Sequence, residues 1–385
     1  MQSSERAQTK CERSGGASAC FDLAWGLSLA TSWTWCIGMF LPIILMRLFG
    51  WPGVAAFAIP NVLGCALFGF VRSREKSAEE VAKHRPMMAL FSAVTIAYQV
   101  FFAGWLLGPV MTDSSAGPVE FALLAGFAML LLGFLSLRWI VALSVLTYLA
   151  SITVLLTLPL SELTPLPARG ELPMISLLAL IPTLAFGFLL CPSLDLTFHR
   201  ARQLAPSTGA FTVFGIAFAC MLVLTLCYGS IEGALANPTV LFAHIAPQLI
   251  VTGAMHMREL RVLDHSDATH SRQSRMPGWA LATLAILTGA IIAALAPNEA
   301  SYLRILGAYG LLFPAYVLIA MRGGVRAPSP TTIRWVALSV AVSIPFLELG
   351  FNHHKMYLLP IGIIIPALGC LFANRARAEN PVHSG

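Results

Sequence analysis

Residues 23–46 read LAWGLSLATSWTWCIGMFLPIILM, a run without a single Asp, Glu, Lys or Arg that stops at Arg47. An α-helix rising 1.5 Å per residue needs roughly 20 apolar residues to cross the hydrocarbon core of a bilayer, and this stretch supplies them. Outward from it, 48–71, 86–112, 139–161, 172–194, 233–257 and 276–298 are equally free of charge. The stretches 121–137, 203–231, 305–321 and 356–374 also qualify, and 335–351 does so with Glu348 at a boundary. Lipid leaves no partner for an unpaired backbone group, so segments of this length are helices; barrel strands would be about ten residues long and alternating. The chain therefore reads as all-α, a polytopic integral membrane bundle of about twelve spans. Composition agrees, with 57% hydrophobic and 11% charged residues, against about 25% charged in soluble domains.

Positive charge predicts the orientation, because Lys and Arg accumulate on the side that is not translocated. With the N-terminus inside, twenty of the 24 fall on one face, among them Arg72, Arg74, Lys76, Lys83, Arg200, Arg202, Arg258, Arg261, Arg272, Arg275, Arg322 and Arg326. The opposite face keeps Arg47, Arg169, Arg304 and Lys355. The expected organisation is a cytoplasmic tail over 1–22, one transmembrane domain over 23–374 and a cytoplasmic tail over 375–385, in a plasma (inner) membrane. Helix 1 serves as its own insertion signal, since no cleavable leader precedes it. The net charge of +6 reads as topology and contact with anionic headgroups, not as a nucleic-acid footprint. Eight scattered cysteines indicate neither a disulfide framework nor a zinc site. The hydrophilic links at 72–85 and 258–276 read as solvated linkers, with short surface helices as the other reading.

Two stretches have matching interruptions. Helix 1 carries Gly38 and Pro42, and helix 6 reads FGFLLCPSLDLTFHR over 186–200 with Gly187 and Pro192. Proline removes a backbone donor and clashes with the carbonyl four residues back, while glycine weakens the helix further, so both stretches are candidates for breaks. The offsets are 187 − 38 = 149 and 192 − 42 = 150, which places five helices in each candidate repeat, over 23–161 and 172–321, and inverts the second copy. Broken helices enclose a polar site, and half-helices starting at Pro42 and Pro192 would direct positive ends at an anionic substrate group.

These residues resemble the five-plus-five inverted-repeat transporters of the amino acid, polyamine and organocation superfamily, the sodium/solute symporters in particular. The likeness rests on the two interruptions and on the Leu194–Arg200 exit of helix 6. It implies secondary transport of a small solute by alternating access, coupled to sodium or protons. The last two helices would lie outside the repeat. Helix 8 departs from the pattern, offering Thr252 without the neighbouring Ser or Thr expected to help hold sodium.

Polar groups within spans are costly, and each is a candidate for function. For substrate contact these are Trp35, Gly38, Pro42, Gly187, Pro192, Ser193, His244 and Gln248; for ion or proton coupling, Asp195 with His199 one turn later. Asp195 reads equally as an interfacial carboxylate beside Arg200, Glu348 as a boundary residue, and His244 and Gln248 as a helix-to-helix hydrogen bond. No catalytic residue, metal site or cofactor is expected. Two other classes remain open: a membrane-embedded sensor or accessory subunit, and a histidine-dependent metalloenzyme using His256, His265 and His270 with Asp264 and Asp267, whose spacing fits no known His pattern.

Overall fold

A computed structural model describes residues 2–108, 117–158, 169–228, 237–267, 276–321 and 328–379. Arg272, Arg275, Arg322, Arg326 and His270 lie outside them. Among the described residues every regular element is helical: α1 (Gln2–Trp33), α2 (Cys36–Phe49), α3 (Trp51–Val71), α4 (Arg74–Leu107), α5 (Pro118–Leu132), α6 (Leu137–Thr157), α7 (Met174–Leu190), α8 (Leu196–Leu204), α9 (Gly209–Thr225), α10 (Ala246–Asp267), α11 (Gly278–Leu295), α12 (Glu299–Tyr316), α13 (Pro330–Phe351) and α14 (Leu359–Glu379).

Nine helices among the described residues are long and apolar enough to span, and the bent pair Gly16–Trp33 and Cys36–Phe49 supplies a tenth. The other two expected spans are α5, only 15 residues long, and α10, which a π-helical turn over Leu241–Ile245 precedes. Large apolar side chains such as Leu146, Ile175, Ile291 and Leu371 stand exposed along the outer helices, as lipid contact requires. The inner helices include α2, buried at every residue but Arg47, and α4 and α12, with 78% and 67% of their apolar stretches buried against 28% for α13.

Charged and polar side chains join the helix ends into two faces. On one, Arg74 donates to the carbonyls of Ala205 and Pro206, Arg202 to that of Arg72 at 2.6 Å, Arg261 to that of Gly133 at 2.7 Å, and the Ser207 amide to Asp22 at 3.0 Å. On the other, Arg47 pairs with Glu299 at 2.5 Å and Arg304 with Glu348 at 2.8 Å. The faces lie at opposite ends of α3, about 30 Å apart at 1.5 Å per residue. They separate the charges along the line expected from the loop count, and Glu348 takes its place at a boundary.

The link at 72–85 is not a solvated strand of chain. Ser73 caps α4 by accepting from the Lys76 amide, and the helix runs through this segment with one non-helical residue, His84 (φ −107°, ψ 16°), two before Pro86. The ring of His84 meets the Tyr316 hydroxyl at 2.9 Å, which holds the kink. The second link begins as the end of α10, so the charged residues 258–264 extend a spanning helix beyond its apolar part.

Candidate functional site

The interruption of helix 1 falls at Thr34 and Trp35, not at Gly38 and Pro42. Ser32 and Thr34 turn their hydroxyls back onto the carbonyls of Leu29 (3.1 Å) and Ala30 (2.6 Å), an arrangement that bends helices by competing for their acceptors. The Trp35 indole donates to the carbonyl of Ser32. Trp35 then leaves the helix with extended backbone (φ −72°, ψ 176°), and α2 restarts at Cys36 with a 62° change of direction. Gly38 and Pro42 sit inside α2. The helix runs on through both to Phe49, so neither residue ends it.

Helix 6 is interrupted where its proline stands. After α7, a 3₁₀ turn over Cys191–Leu194 includes Pro192, and Asp195 becomes the cap of α8. One carboxylate oxygen of Asp195 accepts from the Thr197 amide and hydroxyl, both at 2.7 Å. The interruptions touch: Ser32 and Thr197 exchange a hydroxyl bond at 3.1 Å, and the rings of Trp33 and Phe198 lie 5.0 Å apart.

Around this meeting point lies a buried polar layer. From α10 comes His256, wholly buried, its Nδ1 3.1 Å from the Ser92 hydroxyl of α4 and its Nε2 3.9 Å from the second oxygen of Asp195. Trp35 stands edge-on to His256 at 5.7 Å and to Tyr309 of α12 at 5.2 Å. The Trp33 indole is held by Asn61 of α3 at 2.7 Å. One turn before His256, Thr252 donates its hydroxyl to the carbonyl of Thr31 at 2.9 Å and so ties α10 to α1.

Two clefts approach the layer from the two faces. The first, a narrow cleft of about 60 Å³, runs between α2, α7, α12 and α13 down to Trp33, Trp35, Tyr309 and Cys191. Gly38, Gly187, Gly307 and Gly310 form part of its wall, and no charged side chain lines it. The second, about 520 Å³, descends from Arg72, Lys76, Glu79, Glu80 and Lys83 to Pro192 and Ser193. The Cys191–Leu194 turn divides them, with Cys191 facing one cleft and Pro192 and Ser193 the other. Asp195 and His256 line neither and have no accessible surface.

The structure thus brings Trp35, Gly38 and Gly187 to the first cleft, and Pro192 and Ser193 to the second. Pro42 is buried in α2 off the cleft wall. His244 lies beside Tyr228, and Gln248 donates to Ser151 of α6 at 3.0 Å, away from both clefts. His199 is held at both nitrogens, Nδ1 by the Ser77 hydroxyl at 2.9 Å and Nε2 by the Ser193 carbonyl at 3.0 Å. Asp195 is buried rather than interfacial and faces His256 instead. Sequence reasoning connected His256 only with the other loop histidines; its spacing from Thr252, one turn on the same face, was the available signal. No His, Cys, Asp and Glu group suited to a metal occurs among the described residues.

No family model matches the chain, and no curated protein matches it. A solved structure of Mhp1, a nucleobase-cation-symport-1 family transporter in a closed conformation with bromovinylhydantoin bound, superposes over 94% of this chain and 92% of that one, with a TM-score of 0.55 at 14% identity. The two chains share a fold. At that identity the likeness extends to the path of the helices and not to the side chains in the clefts.

Proposed function

We propose that this chain is an ion-coupled secondary transporter that moves a small uncharged solute with a flat ring across the membrane by alternating access. The observation that carries the reading is the pair of clefts entering from opposite faces and divided at the Cys191–Leu194 interruption of helix 6, with the interruption of helix 1 at the floor of the first. Irregular backbone is tolerated at membrane depth where it is buried in protein or lines a cavity, and here it forms the barrier between two cavities. A modest tilt of the helices around that barrier opens one cleft as it closes the other, which is the geometry exchange requires.

Solute chemistry follows from the first cleft. Trp33, Trp35 and Tyr309 offer ring faces and edges at its floor, Asn61 and Thr183 offer polar contacts, and the wall has no ionic side chain. An ionised solute would lose its hydration there without a partner, a large cost in a low-dielectric site. The fold shared with a protein solved with a hydantoin bound supports the same class. The five-helix halves over 23–161 and 172–321 supply a rationale for the two touching interruptions, as the opening helices of two inverted copies.

Uptake into proteoliposomes tests the reading. A panel of radiolabelled nucleobases and hydantoins, supplied with an imposed proton or sodium gradient, is expected to yield at least one solute accumulated saturably and lost on collapse of the gradient. Binding of a panel member without uptake under either gradient would return the chain to the sensor class; neither binding nor uptake would remove the solute class.

A further inference from the structure

We infer that the coupling ion is a proton, bound between Asp195 Oδ2 and His256 Nε2. The inference rests on the transport reading above and names the ion that the occluded layer holds. Both atoms are buried, and neither has a hydrogen-bond partner among the described residues. They face each other at 3.9 Å, beyond the roughly 2.7–3.2 Å of an N–H···O bond. Two orphaned polar atoms aimed at one another across so short a gap are an acid–base pair waiting for the hydrogen that joins them.

The remaining bonds of each residue suit that role. Asp195 Oδ1 is committed to Thr197, so a proton has one free oxygen to settle on. His256 Nδ1 meets a serine hydroxyl, and with the ring hydrogen on Nδ1 donated to that hydroxyl, Nε2 is the bare nitrogen. The imidazole can therefore gain a proton at Nε2 without losing its bond to Ser92. His199, the other imidazole near Asp195, has no such freedom, because both its nitrogens are occupied.

The groups around the pair leave its charge uncompensated. From α3, from the 3₁₀ turn and from α12, the titratable neighbours of Asp195 are Cys65, Cys191 and Tyr309. Cys36 lies beyond Tyr309 at the start of α2. On α10, Glu259 follows His256 by three residues but is paired with Arg200 at 2.9 Å and Arg258 at 2.6 Å. Among the described residues, His256 alone stands within ion-pair distance of Asp195. An ionised carboxylate beside a neutral imidazole leaves one negative charge sealed in the layer between the two clefts, which burial strongly disfavours. One added proton makes the pair neutral overall, as carboxylic acid with imidazole or as carboxylate with imidazolium. The closed state thus favours the proton-loaded chain, and an open cleft lets water solvate the unloaded one.

Sodium is a poorer occupant. A hard cation takes several oxygen ligands, whereas the surroundings of Asp195 Oδ2 are an imidazole nitrogen, thiols and aromatic rings. At the contact of α1 with α10, the hydroxyl of Thr252 and the carbonyl of Thr31 already satisfy each other. Coupling to solute passes through Trp35, which touches His256 on one side and floors the first cleft on the other.

Infrared difference spectroscopy of the purified full chain during a pH titration, with and without sodium, tests the assignment and needs no solute. Wild type is expected to show a titrating band, of a protonated carboxyl or of an imidazolium, that is lost or displaced in Asp195→Asn and in His256→Gln and whose midpoint moves, by less, in Ser92→Ala. Sodium should leave the midpoint in place, and a parallel change in tryptophan fluorescence should vanish in Trp35→Phe. A midpoint that follows sodium concentration, or a band indifferent to both Asp195→Asn and His256→Gln, overturns the inference. Should Asp195→Asn not fold, the His256 and Ser92 variants still decide it. Uptake without the band refutes the proton alone, and the band without uptake refutes transport alone.

Discussion

Filling the wall of the first cleft separates a packing role from a binding role for its glycines. A Cβ built on Gly310 of α12 meets no atom within 4 Å, and one built on Gly187 of α7 comes no nearer than 3.9 Å to the Gly310 carbonyl. Neither helix needs a bare backbone in order to pack. Glycine in a helix interior costs about 0.8–1.0 kcal/mol relative to alanine, so Gly310→Ala should stabilise the protein by roughly 0.5–1 kcal/mol. The same methyl projects into the space assigned to the solute, where one surplus methyl or methylene group is worth about 1–3 kcal/mol, or roughly 10–200-fold in transport efficiency. Gly310→Leu, which adds a branched side chain, should abolish uptake while the protein stays folded. Gly104 is the control: its Cβ would lie 2.5 Å from the Pro118 carbonyl and 2.8 Å from Ala293 Cβ, so Gly104→Ala should destabilise by about 1–3 kcal/mol through overpacking. Tryptophan-monitored thermal denaturation in detergent reads stability, and proteoliposome uptake reads function. A Gly310→Leu protein that transports like wild type would refute the assignment of this cleft, and a less stable Gly310→Ala would refute the geometry.

Replacing Asn61 by Leu strips the buried Trp33 indole of its acceptor and should cost about 1–3 kcal/mol, read as a lower midpoint of thermal denaturation. Thr252→Val removes the donor to Thr31; a loss of similar size is expected, with uptake still driven by a proton gradient, and a switch to sodium dependence would contradict the proton assignment. Cysteines introduced at Lys83 and at Lys355, in a chain whose native cysteines are replaced by alanine or serine, should react with impermeant maleimide from opposite sides of the membrane, Lys83→Cys from the cytoplasm. Labelling of both from one side would overturn the two-faced arrangement.

The bundle was legible because its cause is local. Each span is long enough and apolar enough to be read on its own, and the charges that end the helices, such as Arg47 and Arg72, sit where the bilayer stops. The site was legible in part. Pro192 marked a real interruption because a missing donor acts within one turn, whereas the Gly38 and Pro42 pair misled: the hydroxyls of Ser32 and Thr34 took the carbonyls first and moved the break to the WTW sequence. Helical continuation through 72–85 was missed because the Ser73 cap and the grip of Ser77 on His199 outweigh the polar composition of that link.

From the order of residues alone came the solvent, the all-helical class, the approximate number of crossings and the place of Asp195 in an interrupted helix, since lipid penalises charge and unpaired backbone segment by segment. Only the folded chain decided that Asp195 answers to His256 rather than to His199, that Trp35 floors a cleft, and that Thr252 closes onto Thr31. Those pairs are 61 to 221 residues apart in sequence or depend on the angle between helices, and no periodicity within one helix records which face of another it will meet.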